Sequence, residues 1–271
     1  MSVERSEHPF DAAVRVVALG GDRFAGHITP AYANMVGPFG GMIAAVLLNA
    51  VLSHASRQGD PVGLTVNFAA PITDDGFVVT ARPVRTSRST QHWMVELEQA
   101  GKIAATATAF LALRRPTWEC TEALAPAAAA PATLAALPKG AFTPWINNYE
   151  MRFAHGALKL DGVEQDDSVS TLWVRDEPSR PLDFLSLAAM SDCFFPRHMT
   201  RRQRHTPGGT VSLTTYFHAD AAAVTRQGAE PLLATAHASR FHATYYDQTA
   251  QLWGVDNTLL VVTHQLVYYR D

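Results

Sequence analysis

The alternation of apolar and polar residues along the first half of the chain predicts one helix followed by four strands. Residues 42–52 are apolar on nearly every side, which is typical of a helix wrapped by other elements. In the segments that follow, apolar and polar residues alternate with a period of two, as they do in strands with one buried face. The predicted strands are residues 63–71, 77–84, 91–99 and 103–113.

The second half repeats this order of elements. A mostly apolar helix is predicted over residues 182–195, and extended segments precede the helix in both halves. Each half is therefore predicted to be a strongly bent antiparallel sheet with one long buried helix against its concave face. The alternative is a chance similarity between amphipathic strands. The further predicted strands are residues 13–19, 23–28, 148–153, 168–174, 210–217, 231–242, 245–255 and 259–270.

An alanine- and proline-rich segment separates the two halves. Residues 125–131 read Ala-Pro-Ala-Ala-Ala-Ala-Pro, and the segment around them shows little periodicity, which is typical of a linker. We therefore predict an N-terminal repeat over residues 1–114, a linker over 115–144 and a C-terminal repeat over 145–271.

Composition and charge exclude several classes of protein. With 271 residues, 47% hydrophobic and 17% charged, the chain is globular, and its net charge of −3 without a basic block argues against nucleic-acid binding. Cys120 and Cys193 are too few for a disulfide framework and lack zinc-site spacing, so we expect a reducing compartment, the cytoplasm. Residues 1–8 do not read as a secretory signal, and the longest apolar stretch, 36–48, is too short for a membrane span.

Short motifs resemble the acyl-CoA thioesterase II family and its thioesterase-like relatives in their order and spacing. They are Phe39-Gly40-Gly41, Ser191-Asp192, Thr210, Phe217-His218 and Gln265, and the resemblance covers nearly the whole chain apart from the linker. It implies an α+β double hot-dog fold, in which two tandem repeats each wrap an antiparallel sheet around a helix. It also implies a hydrolase of lipid metabolism that converts an acyl-CoA to free acid and coenzyme A, with no cofactor beyond the coenzyme A of its substrate.

The resemblance also implies three catalytic residues in the C-terminal repeat. The family's aspartate, threonine and glutamine fall on Asp192, Thr210 and Gln265. Leu266-Val267 follows the glutamine where the family usually has a more polar pair, so its substrate preference is not carried over.

The residues themselves support this assignment. A carboxylate at Asp192, among apolar helix residues, needs a polar partner, and Gln265 lies on the mainly apolar face of its strand. Aligning the two repeats puts Ala109 where the second half has Gln265, so we expect one asymmetric site. The alternatives are a helix-end or surface carboxylate at Asp192, a simple strand residue at Thr210 and a satisfied buried amide at Gln265.

Thioester hydrolysis needs a placed water, a base and donors for the oxyanion. We expect Asp192 to be the base, and backbone N–H groups at a helix N-terminus to be the oxyanion donors. Gly40 and Gly41 would let the substrate approach the backbone, or else allow close helix packing. The basic run that begins at Arg197 and ends at Arg204 would meet the phosphates of coenzyme A, or else form a solvated loop.

Other functions have less support from the sequence. Cys193 has no histidine placed with it by a known motif, and the eleven histidines show no metal-binding pattern. One alternative to the thioesterase is a hot-dog hydratase or dehydratase, which usually shows an Asp-x-Asn-x-x-His motif that is not found here. The other alternative is a catalytically silent protein that binds acyl groups. Because the tandem repeat already supplies the pairing of two hot-dog units, both a monomer and a homo-oligomer stay open.

Overall fold

One antiparallel sheet dominates the fold, which is described by a computed structural model for residues 7–140 and 142–270. Within these residues thirteen strands belong to it. The strands of the first half are β1 (Val17–Gly20), β2 (Arg23–His27), β3 (Asp60–Phe68), β4 (Gly76–Thr86), β5 (Thr90–Gln99) and β6 (Lys102–Ala112). Those of the second half are β7 (Tyr149–His155), β8 (Ser170–Asp176), β9 (Gly208–Phe217), β10 (Leu232–His237), β11 (Phe241–His242), β12 (Tyr245–Trp253) and β13 (Leu259–Tyr269).

The two halves have the same strand order, counted outward from the middle of the sheet. The full order is β1-β2-β4-β5-β6-β3-β9-β13-β12-β10-β8-β7, with β11 paired to β12. The halves therefore meet where β3 pairs with β9, in antiparallel register from Gly63 with Tyr216 to Asn67 with Ser212. The arrangement is consistent with two hot-dog units side by side. Each predicted strand of the first half has a counterpart, but the one predicted over residues 13–19 begins only at Val17, because Ala13 ends a helix.

Two helices lie at the centre of the core and pack against each other. They are α2 (Gly40–Leu52) and α3 (Phe184–Met190), and α2 is buried over nearly its whole length. The side chain of Asn49, the polar residue within α2, is satisfied because its Nδ2 donates to the Val14 carbonyl. The remaining helices are α1 (Pro9–Ala13), α4 (Arg197–Arg202) and α5 (Ala221–Gln227).

The long second helix predicted over residues 182–195 is wrong. The helix α3 has only seven residues and ends at Met190, and the Ser191 hydroxyl donates to the Ala188 carbonyl at 2.6 Å. Such a bond competes with helical hydrogen bonding, and Pro196 disfavours helical backbone at the residue before it. Asp192 consequently lies in a turn beyond the helix, not within it.

One predicted strand is divided in two. Residues 231–242 form β10 and β11, because the carboxylate of Asp247 accepts the backbone N–H groups of Ser239 and Arg240 and turns the chain between them. Sequence periodicity does not reveal such a side-chain bond, which acts across eight residues.

The segment that joins the two halves runs along the second half. The N–H of Leu137 donates to the Met151 carbonyl of β7, and the Trp173 indole of β8 donates to the Ala129 carbonyl. The predicted repeat and linker boundaries stay predictions, and residues 1–6, Ala141 and Asp271, on which they partly rest, lie outside the described residues. The secretory-signal expectation also rests mainly on residues 1–6. Within the described part of the chain, no helix has the length and apolar character needed to cross a membrane.

Close contact between α2 and α3 predicts that Gly41→Ala destabilises the fold. A Cβ at Gly41 would lie 2.3 Å from the Ala189 carbonyl oxygen, a backbone atom that can move only with its helix. We expect a loss of about 1–3 kcal/mol in the free energy of unfolding in urea, despite the higher helix propensity of alanine. Gly63→Ala is the control, because its new Cβ would have no atom closer than 3.9 Å. Equal stability of the two variants would contradict the prediction.

Candidate active site

The three predicted catalytic side chains are joined by two hydrogen bonds. The Nε2 of Gln265 donates to Oδ1 of Asp192 at 2.7 Å, and the Oγ1 of Thr210 donates to Oε1 of Gln265 at 3.2 Å. Because an amide oxygen only accepts and an amide nitrogen only donates, the Thr210 hydroxyl favours the orientation of Gln265 that faces Asp192 with its N–H.

A bulge in β9 brings Thr210 to the inner face of the sheet. Leu213 pairs with Gln265 and Thr210 pairs with Val267, so Val211 is an extra residue without a partner in β13. Paired residues share a face, and Leu213, Gln265 and Val267 are buried. Without the bulge, Thr210 would lie on the opposite face from Gln265, because side chains alternate along a strand.

The environment of Asp192 raises the pKa of its carboxyl to about 7. The largest cause is desolvation, which disfavours the charged form. Hydrogen bonds from Gln265 and from the backbone N–H of Gly41 act in the opposite direction by stabilising the anion. Asp192 keeps partial solvent exposure. The carboxyl is therefore removed from bulk water but still accessible to a small molecule.

Gly40 and Gly41 hold the N-terminus of α2 against this carboxyl. A Cβ at Gly40 would lie 2.8 Å from Oδ2 of Asp192, so that glycine lets the carboxylate approach the helix. Gly41 packs on the Ala189 carbonyl and donates its N–H to Asp192. The site is thus built from both halves, with the helix end from the first and the side chains from the second.

Two cavities meet at Asp192. The first, of about 460 Å³, has mostly apolar walls with six aromatic side chains and is called the aromatic cavity; the second, of about 680 Å³, is bordered by exposed residues and is called the open cavity. Asp192 and Thr210 line both, together with Gly208 and Gly209. Gly40 and Arg270 line the open cavity alone. The aromatic walls are Phe39, Phe142, Trp145, Phe194, Phe195 and Tyr246.

The structure does not place Arg197 where a phosphate could reach it. Its side chain has no exposed area and donates to the carbonyls of Phe195 and Ser168 and to the Ser170 hydroxyl. Desolvation lowers the pKa of its guanidinium to about 10. A run of basic residues is expected to be exposed, so the sequence did not indicate that Arg197 is buried. The first six residues of the run form α4, and Arg197 lies at the buried start of this helix. The prediction that Arg197 binds substrate is therefore wrong.

Other candidate chemistry is not assembled near the site. Cys193 is buried, and desolvation raises the pKa of its thiol well above the ordinary value, which opposes formation of a thiolate. Among the residues the structure describes, no three histidine, cysteine, aspartate or glutamate side chains are grouped so as to hold a metal ion.

Two parts of the site have no counterpart among the residues predicted from the sequence. Phe142 and Trp145 come from the joining segment and its end, yet they line the aromatic cavity, and the Trp145 ring stacks on Phe39 at 4.2 Å between centroids. Gln248 also lines this cavity, paired across the strands with Gln265. An available signal was the alternation of apolar residues along β12, which a buried glutamine interrupts.

Comparison with known protein families matches most of the chain. Residues 29–112 match the acyl-CoA thioesterase N-terminal domain, and residues 121–269 match the acyl-CoA thioesterase C-terminal domain. No curated protein gives a significant match.

Solved structures share the fold over nearly the whole chain. A conserved hot-dog protein of unknown function from Alicyclobacillus acidocaldarius is 43% identical, with a TM-score of 0.93 and coverage of 98% of this chain and 99% of that one. A TesB protein from Mycobacterium avium subspecies paratuberculosis is 17% identical, with a TM-score of 0.78 and coverage of 97% and 98%. The acyl-CoA thioesterase II TesB2 of Mycobacterium marinum is 16% identical, with a TM-score of 0.76 and coverage of 96% and 98%.

The raised pKa of Asp192 predicts a specific dependence of stability on pH. Between the ordinary pKa of 3.8 and about 7, the folded protein holds a proton that the unfolded chain has released. This group's contribution to stability therefore falls as the pH rises through that window. We expect Asp192→Asn to unfold at a higher temperature than the wild type at pH 8, by a margin that shrinks toward pH 5. Asp74→Asn, at an exposed turn, is the control, and a margin independent of pH would contradict the prediction.

Proposed function

The chain belongs to the acyl-CoA thioesterase family, and from this premise we propose that it hydrolyses an acyl-CoA to a free acid and coenzyme A by direct attack of water. The observation that carries the proposal is the Asp192 carboxyl at the junction of two cavities, with its pKa raised to about 7. A base with a pKa near the working pH is suited to taking a proton from water.

Asp192 is assigned as the general base. Its Oδ1 is occupied by the Gln265 amide, whereas Oδ2 lies toward Gly40, which borders the open cavity. Oδ2 carries no side-chain hydrogen bond within the described residues, so it is the oxygen that we assign to the water molecule. Thr210 and Gln265 act as positioning residues, since the Thr210 hydroxyl fixes the amide and the amide fixes the carboxylate.

The N-terminus of α2 is assigned as the oxyanion site. The N–H groups of Met42 and Ile43 both donate to the Phe39 carbonyl, and that of Gly41 donates to Asp192. The N–H of Gly40 makes no hydrogen bond within the described part of the chain and borders the open cavity. It is therefore free to donate to a thioester oxygen, with the helix dipole favouring the developing negative charge.

The reaction balances without a covalent acyl-enzyme. Water attacks the thioester carbon while Asp192 takes its proton, and negative charge develops on the carbonyl oxygen. When the tetrahedral intermediate collapses, the carbon–sulfur bond breaks and the proton on Asp192 passes to the leaving thiolate. The products are the acid and free coenzyme A, and the carboxylate is regenerated.

The two cavities are assigned to the two ends of the substrate. The aromatic cavity takes the acyl group, because its walls are mostly apolar, and the open cavity takes the coenzyme A arm. With a net charge of −3, long-range attraction contributes little to phosphate binding, so local cations must supply it. Arg270, exposed at the edge of the open cavity, replaces Arg197 as the candidate.

Release of free thiol from a series of acyl-CoAs of increasing chain length tests the proposal. We expect turnover by the wild type and a loss of kcat of about 10²- to 10⁴-fold in Asp192→Asn, because the base is removed. Asp74→Asn is the matched control. Absence of thiol release at every chain length would refute the hydrolase, and undiminished turnover in Asp192→Asn would refute its role as base. Hydration of crotonyl-CoA without thiol release would indicate a hydratase instead.

The pH profile of the reaction tests the role of Gln265. In the wild type, kcat/KM should rise with pH through an apparent pKa near 7, since the base must be ionised. In Gln265→Leu this rise of kcat/KM should occur at higher pH, because the hydrogen bond that favours the anionic form of Asp192 is lost. Gln251→Leu, at a partly exposed position of β12, serves as the control. An apparent pKa of kcat/KM in Gln265→Leu equal to that of the wild type would contradict the prediction.

A further inference from the structure

The side chain of Gln248 is a buried amide that the proposed mechanism does not use. It is 4% exposed, yet it makes no hydrogen bond to any residue that the structure describes. The residue lines the aromatic cavity, and its unpaired oxygen and nitrogen are not fully buried, so the cavity gives access to them. Polar groups with so little exposure are generally hydrogen-bonded, so a molecule that displaces solvent from this cavity loses less free energy when it offers the amide a partner.

Building on the proposed function, we propose that Gln248 recognises an oxygen substituent on the acyl group, so that the preferred substrates are hydroxylated or oxo-substituted acyl-CoAs. An amide both donates and accepts, and a hydroxyl complements it in both directions. The remaining walls of the cavity then hold the apolar part of the chain.

The position of Gln248 directs it toward the acyl group. It lines the aromatic cavity but not the open cavity, whereas Asp192 and Thr210 line both. The thioester therefore lies at the shared boundary, and Gln248 lies on the acyl side of it.

The sheet places Gln248 on the strand next to Gln265, which holds the Asp192 carboxylate. Gln248 is the direct cross-strand partner of Gln265 in β13. Neighbouring strands are about 4.8 Å apart. An oxygen on the third or fourth acyl carbon therefore lies within reach of the Gln248 amide when the thioester carbon is beside Asp192.

The first half of the chain contains an apolar counterpart of this pair. There Trp93 pairs with Ala109, as Gln248 pairs with Gln265, and Trp93 is 1% exposed. The indole fills the corresponding space, and its Nε1 donates to Gln91. The fold at this position therefore does not require an amide, and the second half carries one only where a cavity adjoins it.

Paired substrates test this inference. The ratio of kcat/KM for 3-hydroxyoctanoyl-CoA to that for octanoyl-CoA is measured in the wild type, in Gln248→Met, which is nearly isosteric but apolar, and in Gln248→Leu as a second variant. We expect a wild-type ratio well above one, and about a tenfold fall in both variants, corresponding to about one hydrogen bond. Gln251→Met, on the same strand with its side chain on the opposite face, should keep the wild-type ratio. Thermal unfolding of each variant verifies that it is folded.

The outcomes separate this inference from the proposed function. Hydrolysis of both substrates with a ratio near or below one, or with a ratio that Gln248→Met leaves unchanged, would overturn the role of Gln248 while the thioesterase stands. Hydrolysis of neither substrate, nor of any other acyl-CoA, would overturn both. A ratio lost only in the Gln248 variants supports the assignment.

Discussion

The contact between the Asp192 carboxylate and the N-terminus of α2 is the constraint on which the rest of the site depends. It joins a helix end from the first half to a turn from the second, and it exists only because Gly40 and Gly41 carry no side chain there. The helix dipole and the Gly41 N–H offset part of the desolvation of the carboxylate. The same contact leaves the Gly40 N–H beside the carboxylate, so the proposed base and the proposed oxyanion donor are positioned together.

The two halves are alike in backbone and different in chemistry. Each has an extra residue in the central strand, Val62 in β3 and Val211 in β9, so the bulge is part of the repeated fold. In the second half the bulge turns Thr210 inward, toward Gln265. In the first half the same geometry presents Pro61 and Ala109, which cannot form that hydrogen bond. The site therefore arises from side chains placed on a backbone feature that both halves possess.

Sequence patterns predicted the strands well because each has one buried face, and alternation reports that directly. They failed where a single bond redirects the chain, as at Ser191, which ends α3, and at Asp247, which divides β10 from β11. Family motifs selected Asp192, Thr210 and Gln265, which the fold does bring together, although the bulge that allows it has no signature in the alternation. The burial of Arg197 was missed because a basic run predicts exposure, whereas its partners are carbonyls that no side-chain pattern reveals.

Fusion of the two halves in one chain explains how such an asymmetric site is tolerated. In a pair of identical subunits every substitution occurs twice, so the desolvation of a carboxylate such as Asp192 would destabilise the fold twice. Here Trp93 fills the corresponding position of the first half, and the core around α2 stabilises the fold against the desolvation of Asp192. The first half thus contributes packing and a helix end, whereas the second half contributes the side chains of the proposed site.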